Sequence, residues 1–315
     1  MYQYSVTQWI FFFYLYCFLG WCFESAYVSI RTRKLTNRGF MHGPFLPLYG
    51  SGAIMMLAVS APFQDSLPLT YVAGCIGATI LEYVTGVTME AMFKVRYWDY
   101  SRERFNFQGH VCLKSTLAWG GLTILMTGVV HRYVEQAVFL IHAQVLSAVT
   151  FVLTAVIFAD FALSFKAALD LRDILVRLEE AKIELGHLQM RMDVFVALTA
   201  EEFEQKIKEY REGARQRREN IASAISQRRE DVGAALAEFF EDAGNTAQDM
   251  EPSKIRERLQ EHIAARRREL LRRREEVLHG MGKRLQKVFR ANPTIASLKY
   301  HEVIEELKQS VEHKE

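Results

Sequence analysis

Five stretches of this chain are apolar over about the 20 residues that a bilayer-crossing helix needs, and in lipid such stretches have few options besides helices whose backbone groups pair internally. They are Val6–Ile30, Pro44–Ala61, Leu69–Met92, Val111–Val130 and Gln136–Leu163. The second is near the minimum length and carries Pro44, Pro47, Gly50 and Gly52 in its first half. A broken or re-entrant helix is therefore open there beside a full span. No Lys or Arg precedes Trp9 and no small-residue cleavage pattern ends the first apolar run, so this segment is expected to be retained rather than removed as a signal peptide.

Charge divides the chain near Ser164. Up to Leu163 there are 10 Lys+Arg and 8 Asp+Glu, which leaves 29 of each, from totals of 39 and 37, for the rest. A neutral second half lacks the basic excess that phosphate backbones attract, so nucleic acid is not an expected partner. Basic residues also set orientation. Arg31, Arg33, Lys34 and Arg38 follow the first stretch, Lys94, Arg96, Arg102, Arg104 and Lys114 surround the loop after the third, and the opposite loops contribute only Arg132. This places the amino terminus outside and the tail in the cytoplasm of a protein of the inner (plasma) membrane. Cys17, Cys22, Cys75 and Cys112 have neither disulfide nor zinc-site spacing and read as small buried apolar side chains. His142 and Asp160, near the two ends of the last stretch, are expected at the interfaces.

After Ser164 the period becomes a heptad. Leu171, Ile174, Leu178, Ala181, Leu185, Leu188, Met192 and Phe195 alternate steps of three and four, the seam of a coiled coil. The register slips near Thr199 and resumes as Phe203, Ile207, Tyr210 and Ala214, with Arg217 the first polar intrusion. Gly244-Asn245 and Pro252 predict a break, Ser253–Arg290 a second helix ending before Asn292-Pro293, and Thr294–His313 a short terminal helix. Residues 164–252 hold 13 basic and 19 acidic side chains, and residues 253–290 hold 13 and 5. Opposite signs favour folding back into a hairpin or an oligomeric coil, while the runs Arg266–Arg268 and Arg272–Arg274 leave contact with anionic lipid open. The expectation is thus an all-α protein: a five-helix membrane bundle, residues 1–163, and a long cytoplasmic coiled-coil tail, residues 164–315, through which the chain forms homo-oligomers.

The residues that could carry chemistry stand out against the apolar background. Glu24, Glu82 and Glu90 are ionisable groups in or at the edge of spans, where the default reading is an ion, proton or substrate path and the alternative a structural carboxyl, protonated or bridging helices. Glu82, Gly86 and Glu90 share a stripe, and Gly74 and Gly77 mark close helix approach. The stretch from Asn37 to Gly50 could present helix-start amides to an anion, with Gly43, Gly50 and Arg38 as its candidate residues; a tight entry into the membrane is the competing explanation. In the next loop Tyr97, Trp98 and Tyr100 fit an interfacial aromatic belt. Asp99 and Asn106 could tie that loop to Arg38 or to the membrane-end carboxylates, forming with Trp98 and His110 one polar cluster. His110 and Cys112 are too few ligands for a metal, and neither metal nor cofactor is expected. The chain has no Gly-x-x-x-x-Gly-Lys-Ser/Thr loop, so ATP dependence would need a separate ATPase subunit. No hydrolase or metalloprotease signature occurs.

Asn37-Arg38-Gly39-Phe40 with Gly43-Pro44 and Pro47-x-Tyr49-Gly50, Leu81-Glu82-Tyr83 with Glu90, Trp98-Asp99-Tyr100-Ser101, and Asn106-x-x-Gly109 through Trp119-Gly120 together resemble one bacterial family, named "Putative ABC-transporter type IV" or CmpB-like. The resemblance covers roughly Trp9 to Phe161 and implies an integral membrane permease component, with the charged tail outside it. The family pattern has an arginine where this chain has His110 and two tryptophans where it has Tyr97-Trp98, so a permanent positive charge at residue 110 is not implied. The preferred expectation is a transporter or permease-like component in which Glu24 and Glu82 line the path. A membrane-anchored coiled-coil scaffold is the alternative, and a membrane-embedded enzyme using Glu90, Asp99, Asn106 and His110 the third.

Overall fold

A computed structural model describes residues 3–217, 250–279 and 283–312. The chain forms two compact units: one from Met1–Leu175 together with Met281–Glu315, the other from Val176–Gly280.

In the first unit, α1 (Val6–Thr32) starts from a capping box in which Ser5 and Gln8 satisfy each other's amides, and it ends at Arg33 in the left-handed conformation. α2 (Pro47–Ser60) starts on Pro47, whose missing N–H costs nothing in a first turn, and passes into a 3-10 turn, Ala61–Phe63. α3 (Leu67–Phe93) also has proline in its first turn and stops at left-handed Lys94. A loop with a two-residue hairpin, β1 (Asn106–Phe107) and β2 (Val111–Cys112), leads to α4 (Leu113–Leu125). α4 continues through a π-helical turn, Met126–Val130, into α5 (His131–Phe139), and α6 runs from Ala143 to Ala197. Packing runs α1 on α2, α2 on α3 and α3 on α4. The first part of α6 lies beside α1, where the Tyr14 hydroxyl donates to Thr154 Oγ1 at 2.9 Å.

Four of these helical runs, Val6–Arg31, Leu67–Phe93, Leu113–Phe139 and Ala143–Ala197, are long and apolar enough to cross a membrane; Pro47–Phe63 is shorter. The second expected stretch, where the sequence leaves a broken or re-entrant helix open beside a full span, is thus a shorter helix, and the boundary between the last two lies later than its sequence suggests. The polar run His131-Arg132-Glu135 stays helical because Tyr4 and Tyr16 supply hydrogen bonds to His131, and Tyr4 reaches Glu135. The turn falls instead at Ile141-His142, so Gln136 belongs to the preceding helix and His142 to the connection.

α3 shows the solvent for which the bundle is built. Thr70, Gly74, Ala78, Glu82 and Gly86, four apart, are buried, while Val72, Ile76, Ile80 and Val84, also four apart, are each more than half exposed. Burying one such side chain is worth about 1.5–3 kcal/mol in water, so an outward aliphatic stripe beside an inward small and polar one is the arrangement expected in lipid. A Cβ at Gly74 would collide with Thr123 of α4, and one at Gly77 with Met55 of α2 at 2.5 Å, so both glycines permit close approach.

The carboxyl-terminal part of this unit holds α9 (Lys283–Ala291) and α10 (His301–Glu312). The terminal helix begins at His301 rather than Thr294, because Pro293 has no amide to donate and Ala296 gives both backbone groups to an antiparallel bridge with Arg96, at 2.7 and 3.0 Å.

In the second unit the end of α6 is followed by α7 (Ala200–Arg217) and α8 (Pro252–His279). The register slip near Thr199 is a helix break, and a reciprocal Thr199–Glu202 cap starts α7. Leu188, Phe195, Phe203, Ile207, Ile255, Leu259, Ile263 and Leu270 form one core, with Leu185 and Met192 against it. The last four heptad side chains of α6, Leu185, Leu188, Met192 and Phe195, are therefore covered within this unit. Arg256 lies over the Phe195 and Phe203 rings at 5.5 and 5.7 Å and donates to the Leu198 carbonyl, and Arg266 pairs with Glu184. The predicted break at Gly244-Asn245 and residues 280–282 of the predicted Ser253–Arg290 helix lie outside the described residues.

Candidate functional site

The candidate residues gather at the end of the bundle that carries the loops after α1 and α3, in three adjoining polar groups. Glu82 on α3 is the deepest and is 5% exposed. Its Oε1 accepts from the Tyr100 hydroxyl at 3.0 Å, and its Oε2 from the Trp119 indole at 3.2 Å; Ser115 Oγ, 3.3 Å from Oε2, shares its proton with the Cys112 carbonyl. All three partners are neutral. Burial pushes the Tyr100 hydroxyl well above its ordinary range, and Glu82 pushes it further, so it stays protonated and donates.

Glu24 on α1 accepts from Tyr49 of α2 at 2.7 Å and lies 3.6 Å from Arg38 Nε. Burial lowers the Arg38 guanidinium, and Glu24 opposes that shift. Glu24 also pushes Tyr100 upward, so the Glu24–Tyr49 and Tyr100–Glu82 pairs act on one another.

The third group surrounds Arg96, whose Nε meets Glu90 Oε2 at 2.8 Å and whose Nη1 reaches Asp99 Oδ1 and Ser101 Oγ at 3.4 Å. His110 Nε2 lies 3.1 Å from the same Glu90 oxygen. Burial and Arg96 lower the His110 imidazole, against the pull of Glu90 and Asp99, so the neutral ring donates to Glu90. Burial raises the Asp99 carboxyl, but hydrogen bonds from Ser101 and the charge of Arg96 outweigh it and the net shift is downward. Gly86 opens the room for this ring: a Cβ there would approach His110 Nδ1 to 2.8 Å. Val87, Glu90, Arg96, Asn106, His110 and Leu298 line a cleft of about 630 Å³.

The loop that brings these groups together is an inward-folded piece of structure. Tyr97 is buried, Trp98 donates to the His110 carbonyl at 2.9 Å and Tyr100 reaches Glu82, so these aromatics serve internal acceptors where the sequence suggests an interfacial belt. Asn106 holds the turn through Glu103 and Gly109 at 2.8 and 3.1 Å. Asp99 ties the loop to Arg96 rather than to Arg38. Lys94, Phe105 and Gln108 have positive φ without being glycine, a concentration of unfavourable backbone that persists only where surroundings over-determine it.

Of the anion-site candidates, Arg38 faces Glu24, and the Gly43 and Gly50 amides have partners within the chain. The Gly43 amide donates to the Asp160 carboxylate at 2.8 Å, the Gly50 amide donates to the Leu46 carbonyl, and a Cβ at Gly50 would strike Cys17. Asp160 is thus a partner inside the chain, with His42 bound between it and Ser164. Sequence reasoning also missed Arg96, Tyr100, Ser115 and Trp119, and a cluster at the other end where His131 bonds Tyr16 and Tyr4 at 2.7 and 3.0 Å and Tyr4 donates to Glu135 at 2.5 Å. The four-residue spacing of His131 and Glu135 is the signal that could have found the latter.

Residues 11–165 match the model of the family described as "Putative ABC-transporter type IV". Over these residues, just under half of the chain, the protein is similar to that family. The family stretch contains Glu24, Arg38, Glu82, Glu90 and the whole inward-folded loop, and it ends within α6. No curated protein and no solved structure matches the chain.

Proposed function

We propose that the protein is the membrane component of a transporter for a small polar solute that carries positive charge, with Glu82 as the deep acceptor. The observation that carries this reading is the neutrality of Glu82's surroundings. A buried carboxyl held by three neutral donors has no fixed positive partner beside it, so a cationic solute or a proton can serve as its complement, as a neighbouring Lys or Arg would in a structural ion pair. The cleft of Glu90, Arg96, Asn106 and His110 is the entrance, and Tyr100 of the adjoining loop binds Glu82. Glu24 and Tyr49 extend the path beside it. The basic loops support a cytoplasmic entrance, and the family description supports a separate ATPase subunit as energy source.

A thermal-shift screen in lipid nanodiscs against small polar solutes, cationic amines and amino acids included, tests the assignment by mass action. Solutes of the transported class raise the midpoint of the wild-type protein and leave Glu82→Gln unmoved. A panel to which both proteins respond alike contradicts the role given to Glu82.

A further inference from the structure

Residues beyond the family stretch take part in the entrance. The segment from Ala291 to Leu298 crosses both loops. Arg38 Nη1 donates to the Ala291 carbonyl and to Asn292 Oδ1, each at 3.3 Å, and its Nη2 to Thr294 Oγ1 at 2.9 Å. Asn292 Nδ2 returns a bond to the Gly39 carbonyl at 3.0 Å, and Thr294 donates to the Tyr97 carbonyl at 3.1 Å. Ala296 pairs with the backbone of Arg96 in both directions, and Ile295 is fully buried. Leu298 then stands at the wall of the cleft with 68% of its surface exposed.

From these contacts we infer that Ala291–Leu298 is a latch, a strap of this chain that holds the two cytoplasmic loops together over the cleft and leaves when the cleft opens. The inference rests on reading that cleft as the entrance. The chemistry of the contacts suits release. Arg38 and Arg96 carry the charges that face Glu24 and Glu90, and the latch binds both arginines only through carbonyl, amide and hydroxyl groups. When it departs, each arginine keeps its carboxylate partner, and the freed polar groups meet water at the membrane surface, so no buried charge is stranded. Thr294 and Asn292 also join one loop to the other: both meet Arg38 or its neighbour Gly39, and Thr294 also meets Tyr97, next to the Arg96 of the Glu90 group. Removing the strap therefore takes away these bridges in one step and leaves the direct contacts between the loops, Arg38 Nη2 to the Tyr97 carbonyl at 3.5 Å and the Phe40 ring against Tyr97.

The test is cysteine accessibility in the full-length protein in its own membrane. Ser297→Cys places a near-isosteric thiol within the strap at a position 5% exposed, and a charged maleimide is read peptide by peptide beside the native cysteines. Losing the four hydrogen bonds that the Asn292 and Thr294 side chains make to Arg38, Gly39 and Tyr97, in Asn292→Ala/Thr294→Ala, should raise labelling at residue 297 about tenfold. Hydrogen exchange in α1 and α3 should stay at its wild-type rate. Equal labelling with and without the double substitution overturns the latch. Faster labelling together with faster exchange throughout α1 and α3 also overturns it, because the segment is then a structural buttress. The solute screen with Glu82→Gln is scored separately, so loss of the substrate reading and loss of the latch are distinguishable.

Discussion

At Gly109 the backbone turns with φ +73°, and a Cβ would come within 2.5 Å of Ser101 Oγ, 2.6 Å of Arg96 Nη1 and 2.8 Å of Asp99 Oδ1. Gly109→Ala should therefore lose about 1–2 kcal/mol to the left-handed conformation alone and should also displace Arg96 from Asp99. Thermal unfolding in nanodiscs checks the loss; an unchanged midpoint would show that the loop yields freely. His110 gives the cluster a pH dependence of defined sign. Its folded-state pKa lies below the ordinary 6.5, so the unfolded chain takes up a proton first as the pH falls. This contribution is absent above about pH 7, and stability falls as the pH drops through 6.5 toward the folded value. His110→Gln should flatten the slope of midpoint against pH over that interval, and an identical slope in the variant would assign the titration elsewhere. Glu82 was legible in the sequence because a carboxyl in an apolar run has few explanations. Arg96 was not, because one more positive charge beside Lys94 is already accounted for by orientation; only the fold turns it inward between Glu90 and Asp99.

Along a whole element, α3 separates two kinds of substitution. Gly74→Val drives a branched side chain into Thr123 and should cost about 1–3 kcal/mol by overpacking. Val72→Ala on the exposed stripe should leave the midpoint nearly unchanged in lipid; equal losses from the two, measured by thermal unfolding, would remove the inside and outside faces assigned to this helix. Apolar length was readable and found α1 and α3 closely. It placed the boundary between α5 and α6 too early, because the polar run His131 to Glu135 resembles a loop until Tyr4 and Tyr16 supply its hydrogen bonds. The heptad spacing and its slip at Thr199 were equally readable, since both are local. What covers the seam was not, because Ile255, Leu259 and Ile263 lie far along the chain.

In the whole molecule, the carboxyl-terminal residues 281–315 join the membrane helices in one compact unit, and the segment 176–280 forms its own. Sequence reading drew its boundary at Ser164 because composition changes there, whereas the return of the chain to Arg38 and Arg96 depends on backbone groups that carry no sequence signature. The central claim is that Glu82 binds what the protein moves. Solute exchange across vesicles made from the native membrane, analysed by mass spectrometry for wild type and Glu82→Gln, measures this directly. Removing a charged acceptor should lower exchange of the cationic solute about ten- to a hundredfold while the protein remains folded and present at the wild-type level. Exchange equal to that of the wild type would contradict the claim and leave Glu82 a structural carboxyl.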